Sequence, residues 1–192
     1  MNRKYALLFA ALAVTGIAHA DDTNSLTQRF RLQLGVGLPS SKSGRDFVGS
    51  APIAGGLSYD LGRVASGTWG VYANSIIRTR QLRDSLPASS YVNRGAEGFG
   101  VQYRSYPTPT GVYFGGGIGA YSVSISTVND YGSTTSTAST ETSTWGGRAF
   151  IGKNLAGRVY LEAGYNWVGK ASVANGPERN LSHASLNVGY RF

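Results

Sequence analysis

The sequence predicts an all-β fold: eight antiparallel strands closed in up-and-down order into a barrel, preceded by a cleaved leader. Three observations predict it. After residue 20 the chain alternates apolar and polar residues in eight segments, the signature of strands with one apolar face. The connections between those segments alternate between long and short. Glycine (27) and tyrosine (12) are abundant among the 192 residues, cysteine is absent, and no apolar run after residue 20 nears the length of a membrane-spanning helix. A chain of this kind enters a membrane, if at all, as strands.

The leader is read first. Arg3 and Lys4 precede an apolar run from Ala6 to Ala18, and Ala18-His19-Ala20 fits the small-x-small cleavage pattern of a secretory signal peptide. Residues 1–20 are therefore expected to be removed, leaving residues 21–192, which begin at Asp21, as one barrel domain. Without Arg3 and Lys4 the chain keeps 16 basic and 10 acidic residues, a net charge of +6. The basic residues are scattered singly and the chain is exported, which argues against a nucleic-acid partner.

The first strand is expected at about Arg29 to Leu38, with Phe30, Leu32, Leu34, Val36 and Leu38 on one face. The second covers about Ile53 to Leu61 and the third about Thr68 to Thr79, where Trp69, Val71, Ala73 and Ile77 oppose Tyr72, Asn74 and Arg78. The fourth covers about Gly98 to Ser105 and the fifth about Val112 to Ser122. The sixth runs about Thr144 to Gly152 and the seventh about Arg158 to Val168. The last runs from Ala184 to Phe192, where Ala184, Leu186, Val188, Tyr190 and Phe192 alternate without error. Each is close to the roughly 9–11 residues a tilted strand needs to cross a bilayer.

Long connections are expected at Pro39 to Pro52, Arg80 to Glu97, Val123 to Ser143 and Gly169 to Asn180. The Ser/Thr-rich stretch within the third reads as a solvated, mobile loop. Short turns lie between them, at Gly62 to Gly67, Tyr106 to Gly111 and Asn154 to Gly157. Loop length segregated by end is the habit of membrane-spanning barrels, with tight turns at the periplasmic end and long loops outside.

Crowding decides which face points out. An eight-stranded barrel has an interior just wide enough for side chains. The apolar faces carry Trp69, Phe99, Tyr103, Phe114, Trp145, Tyr165, Trp167, Tyr190 and Phe192, too much bulk for that interior. The opposite faces carry many glycines among long polar side chains. The apolar face is thus expected to meet lipid, with Trp69, Tyr103, Phe114 and Tyr190 anchoring one interface and Trp145, Tyr165 and Trp167 the other.

Taken together, these features resemble the small eight-stranded outer-membrane barrels, the group of the OmpA transmembrane domain, OmpX and OmpW. The resemblance covers nearly the whole chain after the leader and is architectural. It implies residence in the cell outer membrane among its lipids, and assembly by periplasmic chaperones and the barrel-assembly machinery. It also implies that Phe192, with Tyr190 and Val188, acts as the C-terminal assembly signal. The function it implies is non-enzymatic: envelope support, surface interaction or adhesion, or porin-like passage of small solutes through a narrow lumen.

Lumen-facing charges are expected at Arg29, Arg31, Arg78, Arg104, Arg148 and Arg191, against Asp60 and Glu162. Buried charges need partners. Pairing the sixth and seventh strands tightly around Asn154 to Ala156 sets Gly152 opposite Arg158, Arg148 opposite Glu162 and Trp145 opposite Tyr165. An internal Arg148–Glu162 ion pair is the expectation, with Arg31–Asp60 as a second lumen pair. In the loops, Lys42, Arg45, Arg83, Arg94, Lys170 and Arg179 offer charge to anionic surface glycans or lipid headgroups.

Two other readings compete. His183 and Ser185 form an H-x-S pair similar to that of outer-membrane lipid-modifying enzymes, but no acidic residue follows Ser185 to complete a triad. Glu178 or Glu162 would have to supply it from elsewhere. A secreted, soluble lipocalin-like carrier would need the apolar face turned inward. No catalytic, cofactor-binding or metal-binding residue is expected: one histidine after the leader and no cysteine make no metal cluster.

Overall fold

The structure, a computed structural model, describes residues 29–85, 88–130, 135–155, 157–173 and 175–192. The leader, Ala18 and Ala20 of its cleavage site, and Asp21 lie outside the described residues.

Eight strands form one closed antiparallel barrel in sequence order. They are β1 (Phe30–Pro39), β2 (Ile53–Val64), β3 (Gly67–Ser85), β4 (Ala88–Ser105), β5 (Val112–Asp130), β6 (Thr135–Asn154), β7 (Val159–Val168) and β8 (His183–Arg191), with one helix, α1 (Lys42–Val48), between β1 and β2. Closure is made by β1 on β8, from Arg31↔Arg191 to Pro39↔His183. Phe192 completes the seam: its N–H donates to the Phe30 carbonyl at 2.9 Å, and its ring lies 5.6 Å from Phe30 and 5.0 Å from Tyr190.

The alternation does what it predicts. Leu34 (65% exposed), Ile118 (67%) and Trp145 (73%) point outward, as do Phe99, Phe114, Tyr165, Trp167, Leu186, Val188 and Tyr190. Tyr72, Tyr113, Tyr121, Phe150 and Tyr160 are buried inside. A continuous apolar exterior around a filled, polar-aromatic interior is the arrangement for lipid and excludes the inward-facing carrier. No helix of the described residues is long and apolar enough to cross a membrane.

The barrel has two unlike ends. At the turn end the connections are tight; in the β6–β7 turn, Gly157 takes φ +64°, a left-handed conformation that suits glycine. At the loop end two expectations need correction. The described parts of the expected loops at 80–97 and 123–143, residues 80–85, 88–97, 123–130 and 135–143, are strand. β3 pairs β4 to Ser85↔Ala88, and β5 pairs β6 to Asp130↔Thr135. The β2 ladder ends at Ile53↔Ile77 and the β7 ladder at Gly146↔Val168, so beyond those points β3 to β6 continue as a four-stranded sheet, whose first residues, Tyr121 and Val123, still pack against α1 and the β7–β8 connection. Threonine favours strands, and β6, exposed from Thr135 to Glu141, needs no apolar alternation, so the usual pattern is missing there. The first long connection holds α1, capped by the Ser41 hydroxyl accepting from the Gly44 N–H.

Candidate functional site: the lumen and its two mouths

The interior divides into layers. Near the loop end, Phe47 and Val48 of α1 drop into the barrel and meet Ile76, Ala96, Tyr121, Val123, Val168, Ala171, Val173 and Leu181, all buried. This apolar plug is assembled from α1, four strands and the β7–β8 connection. Its backbone is tied down by Ser40 and Ser41, whose hydroxyls donate to the Ser182 carbonyl (2.8 Å) and the Asn180 carbonyl (2.7 Å). Below it, Asn74 Nδ2 donates to Asn166 Oδ1 at 2.6 Å across the barrel.

The next layer is ionic and aromatic. Arg148 donates to Glu162 Oε1, and both side chains are almost wholly buried. The Tyr113 hydroxyl donates to the other carboxylate oxygen of Glu162 at 3.3 Å. The Arg148 guanidinium lies 4.5 Å from the Phe150 ring centre and 5.4 Å from that of Tyr72. Asp60 accepts from Arg104 at 2.7 Å, and Arg104 also donates to the Ser58 hydroxyl at 3.1 Å. Such charge-assisted bonds are what make buried ions tolerable.

Glycines make this layer fit. Tyr160 stands opposite Gly189, and its ring crosses that glycine to bring its hydroxyl 3.4 Å from the Leu32 carbonyl on β1. A Cβ at Gly189 would strike the Tyr160 ring, and one at Gly152 would strike Tyr113 on its way to Glu162. The abundance of glycine is therefore a packing requirement: small residues on one strand seat the aromatic rings of the next.

The strand register corrects the sequence reading. Arg148 stands opposite Asn166, and Glu162 opposite Gly152; Phe150 faces Gly164 and Ala149 faces Tyr165. The β6–β7 pairing is thus displaced by four residues from the tight-turn expectation, because the turn is wider and closes at Asn154↔Tyr160. An even displacement keeps every side chain on its own face, so periodicity alone does not detect it. Arg148 and Glu162 meet diagonally instead of squarely.

The second expected pair is looser: Arg31 Nε lies 3.9 Å from Asp60 Oδ2, while Arg104 holds that carboxylate closely. Arg31 rests instead on the rings of Tyr113 (5.4 Å) and Tyr160 (5.5 Å). Arg29 and Arg191 sit at the turn-end mouth rather than deep inside. Arg78 has the lumen phase but lies above the plug, exposed, directly opposite Arg94. Arg94 and Arg179 both approach the Phe47 ring, at 5.7 and 4.9 Å. Lys170 pairs with Glu178 at 3.8 Å on the surface, and Arg45 donates to the Pro39 carbonyl at 3.3 Å. Lys42 is exposed on α1, and only the backbone of Arg83 is described, paired with Ser90.

The interface aromatics stand on the outer face. Trp69 is opposite Tyr103 near the turn end, where the Tyr103 hydroxyl donates to Ser66 at 2.9 Å. Phe114 and Tyr190 are at the same end, and Trp145, Tyr165 and Trp167 lie further toward the loop end. With a closed barrel, an apolar exterior and a filled lumen, the architecture is clear. This is the fold of the small eight-stranded outer-membrane barrels.

No protein-family model matches the chain, and no curated protein matches it by sequence. Among solved structures, this small barrel is similar to Ail, the attachment invasion locus protein of Yersinia pestis, in complex with the heparin analogue sucrose octasulfate. That match has 13% identity and a TM-score of 0.49, covering 86% of this chain and 99% of that one. Neisserial surface protein A is similar at 15% identity and a TM-score of 0.47, covering 85% of this chain and 96% of that one. At these identities the likeness is one of chain course only, and this lumen has to be understood from its own side chains.

Those side chains do not assemble a catalytic group from His183 and Ser185. Both face the lumen and are buried. His183 Nδ1 lies 2.9 Å from the Leu181 carbonyl, while the Ser185 hydroxyl accepts from Asn187 (3.3 Å) and Asn166 (3.5 Å). Of the carboxylates considered for a triad, Glu162 is held by Arg148 and Tyr113, and Glu178 lies beside Lys170. Among the described residues no group of three or more His, Cys, Asp or Glu side chains gathers as a metal site.

Proposed function

We propose that this is a non-enzymatic, non-conducting outer-membrane barrel whose exposed end binds anionic surface glycans. The loop end is the external one, since tight turns belong to the periplasmic side in such barrels. The observation that carries the reading is the cationic rim above the plug. Arg78 and Arg94 stand directly opposite one another on neighbouring strands, and Arg94 and Arg179 converge on Phe47. None of the three makes an ion pair among the described residues. Like charges set face to face on a ladder repel unless an anion lies between them. The four-stranded sheet beside the rim, with β6 exposed from Thr135 to Glu141, adds a polar surface of hydroxyls for the same contact.

The plug and the ionic layer close the lumen twice, which argues against the narrow-channel role. Residues 1–20 are proposed to be removed on export, and Val188, Tyr190 and Phe192 to be read as the assembly signal. The seam contacts of Phe192 give its deletion a physical consequence as well. Truncation before Phe192 is expected to lower outer-membrane levels.

The test of the binding reading is retention of detergent-refolded protein on a sulfated-polysaccharide resin. The triple variant Arg78→Gln, Arg94→Gln, Arg179→Gln should elute at clearly lower salt than the parent, since exposed charge contacts are salt-sensitive. Equal elution overturns the reading. Selective loss of binding to anionic vesicles, with polysaccharide retention unchanged, would point to lipid headgroups instead.

A further inference from the structure

The opposite mouth, at the turn end, carries a second and separate cationic feature. A cavity of about 210 Å³ opens there, lined by Arg29, Arg31, Arg63, Arg104 and Arg191, with Asp60 as the one carboxylate side chain among the described lining residues. Arg104 already holds Asp60 at 2.7 Å and Arg31 reaches the same carboxylate only at 3.9 Å, which leaves Arg29, Arg63 and Arg191 without a carboxylate partner among the described residues. Arg31 and Arg191 are direct partners on the β1–β8 ladder, a second like-charge pair face to face. Arg31 Nε and Nη1 and Arg191 Nε are buried and make no hydrogen bond among the described residues. Arg191 is nevertheless held in place, because its Nη2 donates to the Gly157 carbonyl at 3.0 Å.

Buried donors on fixed cations are costly when unsatisfied and strong when they meet an oxyanion. Arginine suits this task, because its planar fork matches phosphate oxygens in pairs. The cavity has far more room than the roughly 10–15 Å³ that one water needs. We propose that the turn-end mouth binds a phosphate-bearing ligand of the size of a diphosphate, with Arg31 and Arg191 as the inner clamp and Arg29 and Arg63 at the rim. The phosphate comes either from a soluble compound or from the headgroup of a lipid, and the site's chemistry is the same for both.

The probe is inorganic pyrophosphate, titrated calorimetrically into the refolded full barrel in zwitterionic detergent at fixed ionic strength. One saturable site is expected. Arg31→Gln and Arg191→Gln should each weaken binding about tenfold, the scale of one charge-assisted contact. Arg63→Gln, on an exposed side chain that leaves the folded core untouched, should weaken it several-fold. A gel-mobility shift on boiling verifies that each variant is folded. Arg78→Gln with Arg179→Gln, at the other end, should leave pyrophosphate affinity unchanged, so this site and the polysaccharide rim fail independently. Repeating the titration in bilayers identifies the source. Affinity suppressed in phosphatidylglycerol but kept in phosphatidylcholine assigns the site to a lipid headgroup, and equal affinity in both assigns it to a soluble phosphate. No saturable heat with the parent protein, or equal affinity in the folded Arg31, Arg191 and Arg63 variants, overturns the proposal.

Discussion

The two halves of this lumen solve the same problem in opposite ways. Near the loop end the barrel is filled by an apolar plug around Phe47, Val48 and Leu181, much like the core of a soluble domain. Toward the turn end it is filled by ions and rings: Arg148, Glu162, Arg104, Asp60, Tyr113 and Tyr160. The plug depends on a short helix and a connection that reach in from outside the strands. The ionic layer is built wholly from the strands and is fixed by their register. The first half is stabilised by dehydration of apolar surface, the second by the mutual satisfaction of charges that have no water to return to. The two should therefore fail differently.

The largest effect is expected from Glu162→Ala. It strands Arg148 against Phe150 and Tyr72 with no anion and leaves the Tyr113 hydroxyl without its acceptor. Removing one partner of a buried pair costs about 3–5 kcal/mol. Urea unfolding of the refolded barrel, followed by the boiling-sensitive gel shift, measures it. A loss below 1 kcal/mol would mean that water already penetrates this layer.

Phe47→Ala comes next, with a cost of about 3 kcal/mol from lost burial and an unfilled cavity. It also removes the ring beneath Arg94 and Arg179, so polysaccharide retention should fall with it. Planar bilayers should stay electrically silent, because the ionic layer still closes the barrel below. Conductance appearing in this variant would show that the plug is the sole seal.

Gly189→Ala tests how closely the rings of the ionic layer are seated. The added methyl group strikes the far end of Tyr160, which has to tilt off the Leu32 carbonyl. Overpacking of this kind costs about 1–2 kcal/mol. The double variant with Tyr160→Phe should recover only part of the loss, since the methyl group meets the ring carbon Cζ as well as the hydroxyl. Recovery to the parent's stability would place the conflict at the hydroxyl.

The same contrast explains what the sequence made legible. The eight segments, the outward face and both terminal strands follow from alternation that lipid and a crowded interior impose on every strand between them. The outer part of the β3–β6 sheet escapes that rule, because β6 is exposed from Thr135 to Glu141 and Ser126 to Thr140 carries no apolar stripe to read. Helix α1 is seven residues long, and its signal is a single capping serine before Phe47 and Val48. The lumen charges were visible as types on the polar face, and Arg148 with Glu162 as opposite charges of suitable phase. Their diagonal meeting was not, because a four-residue displacement preserves phase. The rim pair Arg78–Arg94 and the mouth pair Arg31–Arg191 needed the register of two ladders, which no single strand encodes.

The smallest effect is expected from Arg31→Gln, and it bears on what the ionic layer is for. Arg31 is as deep as Asp60, yet it lies 3.9 Å from that carboxylate, and Asp60 keeps Arg104 when Arg31 is gone. Two of its nitrogens make no hydrogen bond among the described residues, and it faces Arg191. What it loses on neutralisation is ring contact with Tyr113 and Tyr160; what it relieves is desolvation and repulsion. The net change in stability in phosphate-free buffer should be under about 1 kcal/mol, in either direction. Adding pyrophosphate should then separate the two proteins, stabilising the parent and leaving the variant nearly unmoved, since a ligand stabilises the fold in proportion to its affinity. A large loss without any anion present would mean that Arg31 is a structural partner of Asp60 and that the mouth is already satisfied. A residue whose removal matters only when an anion is present is one kept for binding and not for folding.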